Sequence, residues 1–320
     1  MKRLLALLCL PLLLLACGGE PAPQVEPSPP FLWEIEGEGT RAWLLGTMHV
    51  SDPRVTTLHP LVEEVLAQAQ ALSTEIGESP SDGAKLAKAG MLPEGESLAD
   101  ILSPATYETL HGYLALRGMS DPRIDRMRPW MVALQLAQLD AIPLLQGGKP
   151  LDLVLRDRAR DAGLALGQVE TIDEQIAVLS WGDQATQVHL LEVTLDRLQA
   201  ELTAGESSLQ HLLALYLAGD DETMWDFALS QTDFDDPLQV GIWEELTTVR
   251  NRRMAARIHE QLQAEPGKAR IYAFGTLHFL GAGSVVEDLR ARGYRVSRVR
   301  PEPSADPAPS AEDAVSEEAR

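Results

Sequence analysis

Gly46-Thr47-Met48-His49 follows the apolar run 42–45, and Gly275-Thr276-Leu277-His278 follows the run 271–274. The pattern Gly-Thr-x-His therefore stands twice, near opposite ends of the chain, each time behind four apolar residues. A short apolar run bounded by glycine reads as a buried strand. Glycine also lets the backbone turn sharply or come close to a ligand. Each histidine then falls just beyond the carboxyl end of a strand, which is where open α/β sheets bind their ligands. Two acids occupy the same kind of position: Glu75 at the end of the stretch 71–76, and Glu170 after 164–169. If the four strands lie parallel and adjacent, two imidazoles and two carboxylates meet at one place.

Outward from these strands the pattern is β at both ends and α between. Residues 31–47 have the form of a hairpin with a glycine-rich turn at 36–39. Residues 60–70 show helical spacing. Ser103 followed by Pro104 marks a helix start, and 129–139 and 150–163 read as two more helices. Thr171 and Glu174 have capping-box spacing. From 183 to about 262 the pattern is helical, with Val188, Leu191, Leu195, Leu198 and Leu202 on one expected buried face. The chain closes with strand 271–274, helix 284–292 and a last strand near 294–300. The fold class expected is α/β, a mixed central sheet from N- and C-terminal strands with a large helical insertion.

The ends are of another kind. Lys2 and Arg3, an apolar stretch over 4–15 and a small residue before Cys17 form a secretory leader, too short for the roughly 20 residues of a membrane span. "LLAC" (14–17) has the form of a bacterial lipobox, so residues 1–16 are read as a lipoprotein signal peptide and Cys17 as the lipidated N-terminus. Gly18, rather than Asp, points to the outer membrane. Residues 17–30 form a Gly/Pro-rich tether, residues 31–300 the folded domain, and 301–320 an acidic, Pro/Ala-rich disordered tail. The expected location is the cell envelope, anchored through Cys17 and facing the periplasm.

With only Cys9 and Cys17 present, the domain has no cysteine of its own. Thiol catalysis and Cys-ligated zinc are excluded. A net charge of −21 opposes binding to phosphate backbones, so nucleic acid is not an expected partner.

Two histidines with one or two carboxylates suit zinc, manganese, cobalt or iron. An ion with an open position makes water acidic, and a remaining carboxylate is available as general base. His111, His189, His211 and His259 fall in expected helices without an H-E-x-x-H pattern, and His59 sits beside Pro60 at a helix start. In "RNRR" (250–253), Arg250 or Asn251 is placed to meet a substrate oxygen, a solvated helix face being the equal alternative.

Taken as a set, "WLLGTMHVSDP", the glutamate of "LSTEI", "PLDLVLRDRARDAG", "LGQVETIDEQIAVL", "RNRRMAARI" and "GTLHFLGAGSVVEDLRARGYRV" resemble the TraB/PrgY/GumN family, related to the Tiki proteins. The resemblance implies one α/β domain of Tiki/ChaN/EreA-like form and metal-dependent proteolysis with manganese or cobalt. It implies His49 and His278 as metal ligands, Glu75 and Glu170 as ligand or base, and Arg250 and Asn251 as site-facing. Where many relatives carry Gly-x-Gly-His in the second motif, this chain has Thr276-Leu277. The function expected is a metal-dependent hydrolase, a peptidase acting on peptide or protein substrates. The alternative is a haem- or metal-binding lipoprotein without turnover.

Overall fold

The computed structural model describes residues 25–37, 39–77, 79–139, 144 and 148–301. The expected signal peptide, Cys17 and nearly all of the acidic tail lie outside them. Six strands form one mixed sheet: β1 (Phe31–Gly37), β2 (Thr40–Thr47), β3 (Ala71–Thr74), β4 (Ala165–Gln168), β5 (Arg270–Gly275) and β6 (Arg295–Val299). Their spatial order is β4-β3-β5-β2-β1-β6. β1 and β2 form the expected antiparallel hairpin, with Gly39 at φ +77° in its turn. β6 runs antiparallel to β1 on the outer side. β2, β5, β3 and β4 are mutually parallel neighbours, so the four strand ends do come together.

The composition of the strands explains their places. β3 is buried along its whole length and β5 along all but its last residue, and β2 is exposed only at Arg41. Parallel strands covered on both faces need such unbroken apolar runs. β4 is an edge, with Ala165 and Leu166 exposed. The helices Val285–Ala291 and Arg250–Ala264 pack on this sheet core, the latter through Met254, Ala255, Ile258 and Leu262.

A second apolar cluster fills the helical insertion. Leu98, Leu110, Tyr113 and Leu136 meet Leu191, Leu195 and Leu198 there. Both predicted caps are formed: Ser103 Oγ accepts from Thr106 N at 3.1 Å, and Thr171 Oγ1 accepts from Glu174 N at 3.2 Å. The Glu174 carboxylate accepts in return from Thr171 N at 2.7 Å.

The long helical run is corrected by the structure. It is divided at Gly205 (φ +70°) and Gly219 (φ +67°), left-handed positions that glycine takes without strain, and again before Pro237. Leu202, expected on the buried face, is 43% exposed in the last turn before Gly205. The buried stripe ends one turn before its helix does. At the N-terminus, Ser28 N donates to Arg54 O and Pro30 O accepts from Arg298, so the last residues counted with the tether already lie on the domain. Among the described residues no helix is long and apolar enough to cross a membrane.

Candidate metal centre

The repeated motif has a separate task for each of its residues. Thr276 Oγ1 donates to Thr47 O at 2.9 Å, tying the second turn to the first. A Cβ on Gly46 would stand 2.7 Å from Thr276 Oγ1 and 2.8 Å from the Phe31 Cβ, so this close approach requires glycine. Gly275 N donates to Glu75 Oε1 at 3.0 Å. Thr47 Oγ1 donates to Asp152 Oδ1 at 2.5 Å, and the other oxygen of that carboxylate takes His49 Nδ1 at 2.5 Å. A carboxylate accepts only, so His49 carries its proton on Nδ1 and turns Nε2 outward.

His278 is oriented in the same sense by a different partner. Asn251 Nδ2 donates to Gly283 O at 2.9 Å, which fixes its amide oxygen toward His278 Nδ1 at 2.7 Å. His278 must then donate from Nδ1, and its Nε2 faces Glu75 Oε1 at 3.9 Å. Imidazoles bound through Nδ1–H to an acceptor, with Nε2 free, are in the arrangement typical of metal ligands.

Two arginines stand behind Glu75. Arg250 Nη2 donates to Glu75 Oε2 at 2.9 Å and to Glu170 Oε2 at 2.6 Å. Arg253 Nη2 takes the other oxygen of Glu170 at 2.7 Å. Glu170 is 0% exposed. Its oxygens are committed to the two guanidinium groups, so in this arrangement it holds Arg250 rather than a ligand. Asn251 has its amide engaged at both ends and serves to position His278. Gln175, from the helix capped by Thr171, reaches Glu75 Oε2 at 3.5 Å.

These contacts set the charges. Burial alone would raise the Glu75 carboxyl; the cations around it, with the Gly275 amide, outweigh burial and hold it at about 2. Burial lowers His278 to about 4 against the pull of Glu75, leaving the ring neutral near pH 7 and Arg250 as the standing counter-charge. His49 is raised to about 9, chiefly by its hydrogen bond to Asp152. Its side chain is 68% exposed, facing solvent.

The structure thus brings the hydrogen-bonded Glu75, Arg250 and Glu170 within 3.9 Å of the hydrogen-bonded pair His278 and Asn251, with His49 near Glu75 on the exposed side. Among the described residues no three His, Asp or Glu side chains already stand at coordination spacing. The donor set itself fits a divalent transition metal: a neutral His278, a His49 whose Nε2 becomes a donor when metal displaces its proton, and one ionised carboxylate. Asp152 and Arg253 escaped the sequence reading. An acid in the first turn of the Leu151–Asp161 helix is ordinarily a partner for the helix dipole, which masked Asp152. Arg253 lay in plain view within "RNRR", one turn beyond Arg250.

The chain is similar to Metalloprotease TIKI1 from Danio rerio, 28% identical across 83% of this chain and 62% of that protein. It is 27% identical to Metalloprotease TIKI1 from Homo sapiens, across 83% of this chain and 61% of that protein. An uncharacterized protein from Treponema pallidum is 26% identical, across 82% of this chain and 80% of its own length. The chain spans about three-fifths of the TIKI relatives it matches. The profile of the TraB/PrgY/gumN family matches residues 31–298, nearly the whole described domain, and the chain belongs to that family.

Proposed function

We propose that this protein is a metal-dependent hydrolase that cleaves peptide bonds, held at the cell envelope through a lipidated Cys17 and facing the periplasm. The observation that carries the reading is the matched pair of imidazoles. Each is held at Nδ1, leaving Nε2 for a ligand bond once His49 gives up its second proton, on turns that are hydrogen-bonded to each other beside an ionised Glu75. The TIKI relatives, named as metalloproteases, support the same class.

His49 Nε2, His278 Nε2 and Glu75 would hold the ion. When bound, a divalent ion supplies Lewis acidity to a carbonyl or to water. The chain's own residues do the rest. Asp152 and Asn251 fix the ring tautomers, Arg250 keeps Glu75 ionised, and Glu170 with Arg253 fixes Arg250.

The test is metal content by elemental mass spectrometry, on the full chain purified without chelator, beside His49→Ala and His278→Ala. About one equivalent of transition metal is expected in the parent, lost in both variants with the fold retained. Cleavage of a peptide library should follow the metal. A parent that takes up no manganese, cobalt or zinc would overturn the reading.

A further inference from the structure

The helical insertion carries a half-open, mainly apolar cavity of about 300 Å³ whose lining includes none of the site residues. Trp130, Trp181 and Trp243 line it with Leu179, Leu190 and Leu246. This volume suits a small ligand or a large side chain. Its walls belong to the elements that build the site. The Ile172–Leu179 helix starts two residues after Glu170, carries Gln175 to Glu75, and ends in the cavity at Leu179. Leu246 lies on the π turn Glu245–Val249, one turn before Arg250. Eight helical residues span about 12 Å, a distance an extended peptide covers in about four residues.

The polar atoms around the cavity select its occupant. Gln187, Thr194, Arg197 and Gln239 each already donate inside the protein, to Ser180 O, Leu190 O, Glu201 and Asp236. Apart from Gln231 and Thr232, the rest of the lining is aromatic and aliphatic.

We propose that this cavity is a specificity pocket for the site. It takes one aromatic or branched aliphatic side chain of an extended peptide whose backbone passes along the Ile172–Leu179 helix to Glu75 and His278. The inference rests on the peptidase reading above, naming the kind of peptide the site accepts.

The test uses the full chain and its Ala133→Phe and Leu190→Phe variants, which fill the cavity from two different sides. The fold of each is checked by far- and near-ultraviolet circular dichroism. The probe is anilinonaphthalene sulfonate, followed by energy transfer from tryptophan and displaced by capped heptapeptides with Leu, Phe or Ser at one position. One probe per chain is expected, bound at least tenfold more weakly by whichever filling variants keep the fold. The Leu and Phe peptides should displace it at least tenfold better than the Ser peptide. Equal displacement by all three peptides, or undiminished binding in a folded filling variant, would overturn the pocket. If cleavage of the same peptides is also followed, equal rates for Leu and Ser sink the pocket alone. Displacement without cleavage by the metal-loaded chain sinks the hydrolase reading and leaves the pocket as a peptide-binding site.

Discussion

At the scale of single residues, the site is a chain of dependences in which few side chains act alone. Asp152→Asn keeps the shape but offers His49 a donor as readily as an acceptor, so the ring loses its enforced tautomer. Manganese affinity should fall about 10–100-fold with the fold unchanged, read by calorimetric titration of the metal. Glu170→Gln leaves Arg250 and Arg253 facing a neutral amide in a buried place. The expected cost is about 3–5 kcal/mol, measured by urea unfolding. Glu75, His49 and His278 were legible in the sequence because each follows a strand end. The role of Glu170 was not, since its position alone does not tell a ligand from the anchor of an arginine 80 residues away. The bonds of Asn251 to Gly283 and His278 depend on how the Arg250–Ala264 helix packs, which local pattern cannot convey.

At the scale of elements, the helix opened by Thr171 links local sequence to the site. Its capping glutamate, Glu174, also receives Arg257 at 3.0 Å. The Arg257 hydrogen bond, with the Thr171 cap, lowers its carboxyl from 4.5 to about 2. A depressed carboxyl stabilises the folded state above the unfolded value and loses that contribution as pH falls through the folded one. The stability gap between the parent and Glu174→Gln should be widest near pH 7 and narrow as pH drops from about 4.5 toward 2, followed by urea unfolding at several pH values. Gly46→Ala tests the meeting of strands, because its Cβ would press on Thr276 and Phe31. A loss of about 1–3 kcal/mol in urea unfolding is expected. The strands and both caps were readable from period and cap chemistry. The break-up of the run after 183 was less so, since glycine in a helical pattern marks either a tolerated residue or a stop, and tertiary packing decides which.

At the scale of the whole molecule, two apolar clusters share the work, one under the sheet and one within the insertion. Leu110→Ala should weaken the second by about 2–5 kcal/mol. Faster amide exchange is expected in the helices Pro104–Leu116 and Gln184–Ala204, while β2 and β5 keep their protection. The order of the strands has one more result, and it concerns time. β5 lies between β2 and β3, yet Thr276 follows Thr47 by 229 residues. At usual rates of synthesis that interval lasts roughly 10–50 s. Throughout it the first histidine turn has no second turn to bond with, and the middle of the sheet is vacant. A chain interrupted anywhere before residue 270 lacks β5 and the second histidine turn, so the grouping of Glu75 with Gly275 and His278 cannot yet form.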